Sequence, residues 1–160
     1  SSDQVTRTLG SEFNPSEGTL VIDLDLKGVA YYPADAISIG STTNGIRIFR
    51  LSGSKSGYVT LRESGVQLGL DVSLGDITTG GSNKIAISYA TSSGYTVAMD
   101  GGLVGSTTES FSPFAVGDLS LTGAGPSRTS SQAVSLSEYI PRALSEADVG
   151  HEVGPGRGHK

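Results

Sequence analysis

Apolar residues recur at every second position in short runs along this chain. In "EGTLVIDLDLKG", Leu20, Ile22, Leu24 and Leu26 alternate with Val21, Asp23 and Asp25. That is the period of a half-buried strand whose carboxylates turn away from the core. The period returns in "AISIG" with Ile37 and Ile39, and in "NGIRIFRLSG", where Ile46 and Ile48 follow an Asn-Gly turn signal. "GYVTLRE" continues it. "GVQLGLDVSLG" aligns Val66, Leu68, Leu70, Val72 and Leu74 as one further predicted strand. Ile85, Ile87 and Tyr89 make the next, and Tyr95, Val97 and Met99 the one after. Asp100-Gly101 then supplies a tight hairpin turn, which needs positive φ at both central positions, before Leu103 and Val104 return. Val5–Leu9, "DLSLTG" (118–123) and "SQAVSLSEYI" (131–140) complete the set.

About ten short strands with turn signals between them, and no amphipathic helix of ten residues, predict an all-β antiparallel sandwich or barrel. The same alternation puts Val21, Val29 and Phe49, all apolar, on outer faces, which predicts a contact patch there.

The end of the chain breaks the pattern. Val134, Leu136 and Ile140 give a last strand, and Pro141, lacking an N–H, stops the ladder. Ser145 followed by Asp148 fits a helix start. The serine oxygen accepts an amide, the acid sits on the positive end of the helix dipole, and Leu144 and Val149 are placed to staple it. The expectation is one short capped helical turn closing one end of the sandwich. Residues 1–149 read as a single domain and 150–160, "GHEVGPGRGHK", as an extended tail.

Composition agrees with this reading. Glycine is 23 of 160 residues and charged residues are only 17%, which suits many strands joined by tight turns. The net charge is −5 with Lys and Arg scattered, so a nucleic-acid footprint is not expected. There is no cysteine, hence no disulfide or thiolate metal site. No apolar run approaches the length of a membrane-spanning helix. The chain opens Ser-Ser rather than with methionine and reads as a piece of something longer.

Three stretches, in order, carry a resemblance. "FNPSEGTLVIDLDL" (13–26), "NKIAISYATSSGYTVAMDGGLV" (83–104) and "YIPRALSEADV" (139–149) resemble the early strand, central hairpin and ending of laminin-G-like domains of the concanavalin A-like lectin/glucanase class. Residues 105–130 are serine-rich and match less well. The resemblance implies a jelly-roll sandwich of two antiparallel sheets. It also implies a non-catalytic binding module for cell-surface carbohydrate, in a bacteriophage tail fibre or an adhesin. The implied location is a virion surface or the extracellular space. A structural virion subunit, a decoration or fibre-head protein contacting other virion proteins or copies of itself, is the alternative.

The candidate chemistry is sparse. His151 and His159 both lie near the Gly/Pro-rich end, far from any frame that could hold a catalytic base or a zinc ion. Asp23 and Asp25 share a strand face about 6.5–7 Å apart by strand rise. A retaining glycosidase needs two carboxylates flanking the scissile bond, and some glucanases of the resembling class add a third on the same strand. Here Thr19, Val21 and Lys27 occupy the remaining positions of that face, and the chain has no Trp to stack a sugar. A hydrolase is therefore the least favoured reading, and the expectation is that the protein is not an enzyme. Asp23 and Asp25 are the candidate ligands for calcium, which takes six to eight oxygens. Laminin-G-like domains often carry one such ion at the sandwich rim. For sugar binding, an exposed aromatic beside a polar group is wanted. Tyr31 and Tyr32 in "VAYYPAD", with Asp35, are the best candidates, and Tyr58 and Tyr95 are weaker ones.

Overall fold

Alternation builds the two sheets. A computed structural model describes residues 4–8, 13–24, 34–40, 44–50, 56–76, 83–113, 118–122 and 134–152. Its strands are β1 (Gln4–Thr8), β2 (Glu17–Leu24), β3 (Ala34–Gly40), β4 (Gly45–Arg50), β5 (Ser56–Glu63), β6 (Val66–Gln67), β7 (Val72–Asp76), β8 (Asn83–Ala90), β9 (Gly94–Met99), β10 (Gly102–Ser106), β11 (Asp118–Thr122) and β12 (Val134–Ile140). One helix, α1 (Glu146–Glu152), follows.

Every strand pair is antiparallel. A seven-stranded sheet runs β1-β11-β3-β4-β5-β6, with β7 also paired to β5, and a five-stranded sheet runs β10-β9-β8-β2-β12. The fold is an all-β antiparallel sandwich, as the alternation and the turn spacing predict, of the jelly-roll kind that the resemblance implies, with one short helix where the cap pattern places it.

The core lies between the sheets. Leu20, Ile22, Ile85, Ile87, Tyr89, Tyr95 and Val97 come from the five-stranded sheet. Ile46, Ile48, Val59, Leu61, Val72 and Leu74 come from the seven-stranded one, and Phe111 joins them. These are the every-second-position residues of their strands, because successive side chains on a strand point to opposite faces. The β9–β10 hairpin turns on Asp100 and Gly101, at φ 51° and 99°. The Asp100 carboxylate also accepts the Lys84 amide at 2.9 Å, which fixes the turn to β8.

The run 66–74 is not one strand. It pairs over Val66–Gln67, breaks, and resumes at Val72. Gly69 sits at φ 69°, a left-handed conformation that turns the chain out of the ladder. Val72 and Leu74 are buried, whereas Leu70 is 84% exposed.

The outer face of the five-stranded sheet is covered by the chain's own end. Val21, Ala86 and Ala98 form one cross-strand row over β2, β8 and β9. Val149 packs on this row, with Leu144 beside it, and Val21 is only 2% exposed. Two alanines leave the room that the helix occupies. Val21 is thus an apolar outer position, as the alternation predicts, but its contact is within the chain. Val29 lies outside the described residues, and Phe49 is placed by its backbone alone.

The helix cap forms as expected. The Asp148 amide donates to Ser145 Oγ at 3.2 Å, the Val149 amide donates to the Ser145 carbonyl, and Leu144 and Val149 share one cluster. The helix itself continues past Val149 to Glu152.

Candidate functional site

The polar side chains on the outer face of the five-stranded sheet anchor the C-terminal segment. Thr19 Oγ1 donates to the Arg142 carbonyl at 2.9 Å, Glu17 Oε1 accepts the Ala143 amide at 2.8 Å, and Ser88 Oγ accepts the Leu144 amide at 2.9 Å. Thr19 and Ser88 are buried, and these bonds offset the cost of shielding their hydroxyls from water. The start of this segment is tied down by two tyrosines. The Tyr89 hydroxyl donates to the Asn14 carbonyl at 2.7 Å and lies 2.8 Å from the Tyr139 hydroxyl, which accepts the Asn14 amide. A side chain at Gly18 would meet both phenol oxygens within 2.7 Å, so only glycine fits between them. Burial, reinforced by the Tyr139 hydrogen bond, pushes the Tyr89 phenol well above its ordinary range.

Asp23 stands at the far end of this face. Its register partner on β8 is Lys84, whose Nζ lies 3.9 Å from Asp23 Oδ1. Both side chains are partly exposed, at 41% and 31%. Asp25, its predicted companion, lies outside the described residues. Among the described residues no three His, Asp or Glu side chains gather to hold a metal ion. The surroundings described for Asp23 suit an ion pair with Lys84.

The sugar-binding candidates divide. Tyr31 and Tyr32 lie outside the described residues. Tyr95 is a core residue, 1% exposed, and its hydroxyl crosses the sandwich to donate to the Val59 carbonyl at 3.0 Å. Burial, with the nearby Asp71 charge, raises its pKa. The signal was present in the sequence, since Tyr95 shares its strand face with Val97.

Tyr58 and Asp35 fall in one row of the seven-stranded sheet. Register pairs Asp35 on β3 with Phe49 on β4, Phe49 with Tyr58 on β5, and Tyr58 with Ser73 on β7. Register shifts mark both sides of this row, between Asp35 and Ile37 and between Gly57 and Tyr58. Such bulges bend strands and re-aim side chains beside functional sites. Tyr58 is half-buried and lies on the outer face, because its neighbour Val59 points into the core.

Two arginines share that outer face, and reading the sequence did not single them out. Arg47 lies between the core residues Ile46 and Ile48 and pairs with Thr60. Arg62 follows the core residue Leu61, two positions beyond Thr60 on the same strand, opposite Gly45. Both are half-buried, and Arg62 Nη1 donates to the Gly65 carbonyl at 3.3 Å. Thr60 between them is only 2% exposed although it sits on the outer side. A hydroxyl sealed there, between two long basic side chains and beside Tyr58, is unlike the solvated outer face that alternation implies. The set gathers two guanidinium groups, one phenol and one threonine on one face of the sheet.

No family model matches this sequence, and no curated protein matches it. Solved structures do. The sialidase carbohydrate-binding module CBM40 of Ruminococcus gnavus, solved bound to α2,3-sialyllactose, superposes at a TM-score of 0.62 with 16% identity, over 96% of this chain and 94% of that one. The botulinum neurotoxin serotype D binding domain superposes at 0.72 with 10% identity, over 96% of this chain and 40% of that binding-domain chain. The receptor-binding domain of the C/D mosaic toxin, solved with tetraethylene glycol on its Hcn sub-domain, gives 0.68 with 9% identity. At these identities the likeness is one of fold. The jelly roll seen here is the architecture these domains share.

Proposed function

We propose that this protein is a non-catalytic glycan-binding module whose site is the outer face of the seven-stranded sheet around Tyr58. One observation carries the reading. Of the two outer faces, the five-stranded one is spent on the chain's own C-terminal segment. On the seven-stranded one, backbone register aligns Asp35, Phe49 and Tyr58 in one row framed by bulges. Tyr58 supplies an aromatic surface for the apolar face of a sugar ring, and the polar side chains beside it orient the ring. The fold shared with a module solved holding sialyllactose and with toxin receptor-binding domains supports the same reading. The described partner of Asp23 is the Lys84 ammonium group, which suits an ion pair. We place the module at a cell-facing surface, an adhesin or a phage fibre, on the strength of the resemblance of its sequence.

The test is a glycan array probed with the intact protein and with Tyr58→Ala. Binding by the wild type that drops at least about tenfold in the variant, with the fold retained, is expected. No glycan binding, together with a stable closed oligomer in solution, would instead favour the structural virion reading.

A further inference from the structure

The C-terminal segment is held on the five-stranded sheet without being part of it. The β12–β2 ladder ends at Ile140, opposite Thr19, and Pro141, which has no N–H, cannot prolong it. Residues 141–152 add no strand to either sheet. Their point of departure is fixed. The Asn14 side-chain amide donates to the Pro141 carbonyl at 3.2 Å, and the Asn14 backbone is bonded to the hydroxyls of Tyr89 and Tyr139. Beyond it the sheet grips the segment twice. Thr19, Glu17 and Ser88 bond main-chain groups of the consecutive residues 142, 143 and 144, and the Val21–Ala86–Ala98 row takes Val149. Ser145, Glu146, Ala147 and Asp148, between the two grips, face water.

Releasing this segment leaves every ladder of both sheets in place, so it costs far less than unfolding the sandwich. Isolated helices shorter than about 12–15 residues are marginal in water, and α1 has seven. The helix therefore depends on Val149 staying docked, and docking and helix formation stand or fall together. The groove left behind has a definite chemistry. Its floor is apolar, and its margin carries two hydroxyls and a carboxylate that now bond one carbonyl and two amides. Those margin groups read main chain, which any peptide supplies. Selectivity falls to the apolar positions of Leu144 and Val149. A segment that meets both demands is this one, and a second copy of the chain carries it.

We infer that residues 141–152 are a latch that opens as one unit while both sheets stay folded, and that the groove it bares docks the same segment of a second copy.

Amide hydrogen exchange in the full wild-type chain tests the latch. The Ala143, Leu144 and Val149 amides are each hydrogen-bonded while it is shut. They are expected to exchange through one common opening, populated at least about tenfold more than the opening of β8, which is laddered on both sides. That opening should also respond more weakly to denaturant, because it exposes less surface. Exchange of all three only together with β8 overturns the latch. So does fast exchange of Val149 alone with Ala143 and Leu144 as slow as β8, the pattern of a fraying end. A fluorescent synthetic peptide of residues 139–152, added to the wild type and to Val149→Ala, tests the groove. In the wild type the peptide competes with a tethered segment at an effective concentration in the millimolar range. Val149→Ala weakens that competitor, so the peptide is expected to bind it at least about tenfold more tightly than the wild type. A peptide that itself carries Val149→Asp is expected to bind neither protein. Equal binding to both proteins, binding to neither, or binding that survives Val149→Asp in the peptide overturns the docking of a second copy. Should Val149→Ala fail to fold, Leu144→Ala, at the margin of the same cluster, takes its place, and the wild-type exchange pattern still decides the latch.

Discussion

The two outer faces of this sandwich begin with similar sequence and end differently. Each alternates with core residues, and each mixes hydroxyls with charged groups. On the five-stranded sheet the hydroxyls of Thr19 and Ser88 are bonded to the backbone of residues 142 and 144, and Val149 caps an apolar row. On the seven-stranded sheet Thr60 is equally sealed, yet its row is flanked by arginine rather than alanine. Small apolar residues on an outer face invite a helix. Long cationic ones do not. One face serves stability, and the other is the one we propose for recognition. Substitutions should separate them: damage to the first should move stability and leave binding intact, and damage to the second should do the reverse.

The largest effect is expected from Val149→Asp. Val149 is fully buried against Val21, Ala86 and Ala98. A carboxylate there loses its hydration and finds no partner in the cluster, so destabilisation on the order of 3 kcal/mol is expected. Denaturant unfolding measures it. A loss under about 0.5 kcal/mol, the range of an ordinary surface change, would mean the helix does not seal this face.

A smaller effect is expected from alkali. The phenols of Tyr89 and Tyr95 are both raised above their ordinary pKa, chiefly by burial. The folded state therefore holds the neutral phenol, while the unfolded chain ionises freely above about pH 10. Their stabilisation is complete below that pH and is lost as pH rises through the raised folded values. The slope is up to about 1.4 kcal/mol per pH unit for each group. Melting curves between pH 8 and 11 (values set by the ~10 reference) should show a plateau and then a fall. Tyr95→Phe should leave the Val59 carbonyl without its donor, costing about 1–2 kcal/mol at neutral pH, and should flatten the alkaline fall. An unchanged slope in that variant would show that Tyr95 ionises as readily folded as unfolded.

The strands were legible where alternation and a turn signal coincide. β2, β8 and β9 fall where Ile22, Ile87 and Val97 place them, and Asp100-Gly101 turns as its positive φ values require. The break within 66–74 was half-legible, since a glycine inside an alternating run often marks a kink. Leu70 looked like core because period two counts positions and says nothing about whether the ladder continues. The cap at Ser145 was readable from a few residues. What the helix covers was not, because alternation distinguishes inside from outside but not water from protein on the outside. The same limit hid Thr60 and its arginines. A lone arginine on a strand ordinarily means a solvated face, and only the register across β4 and β5 brings Arg47 and Arg62 together. Tyr58 and Asp35, by contrast, stand out by residue type alone, and register gives them a common row.

The smallest expected effect lies at the margin of the sealed face, at Asp23. Its partner Lys84 lies 3.9 Å away and both side chains reach water. Exposed pairs of this kind are screened by salt and contribute about 0–1 kcal/mol. Asp23→Asn should therefore lower stability by less than about 0.5 kcal/mol at low salt, and by nothing measurable at high salt. The same variant decides between two uses of one carboxylate. A calcium ion would need Asp23 to give up Lys84 and to recruit several further oxygens. If Asp23 served such a site, added calcium would raise the melting temperature of the wild type and not of the variant. The ion pair predicts the same calcium response in both proteins. A calcium-dependent gap between them would show that this edge of the sealed face is also a binding site, and the division of labour between the two faces would no longer hold.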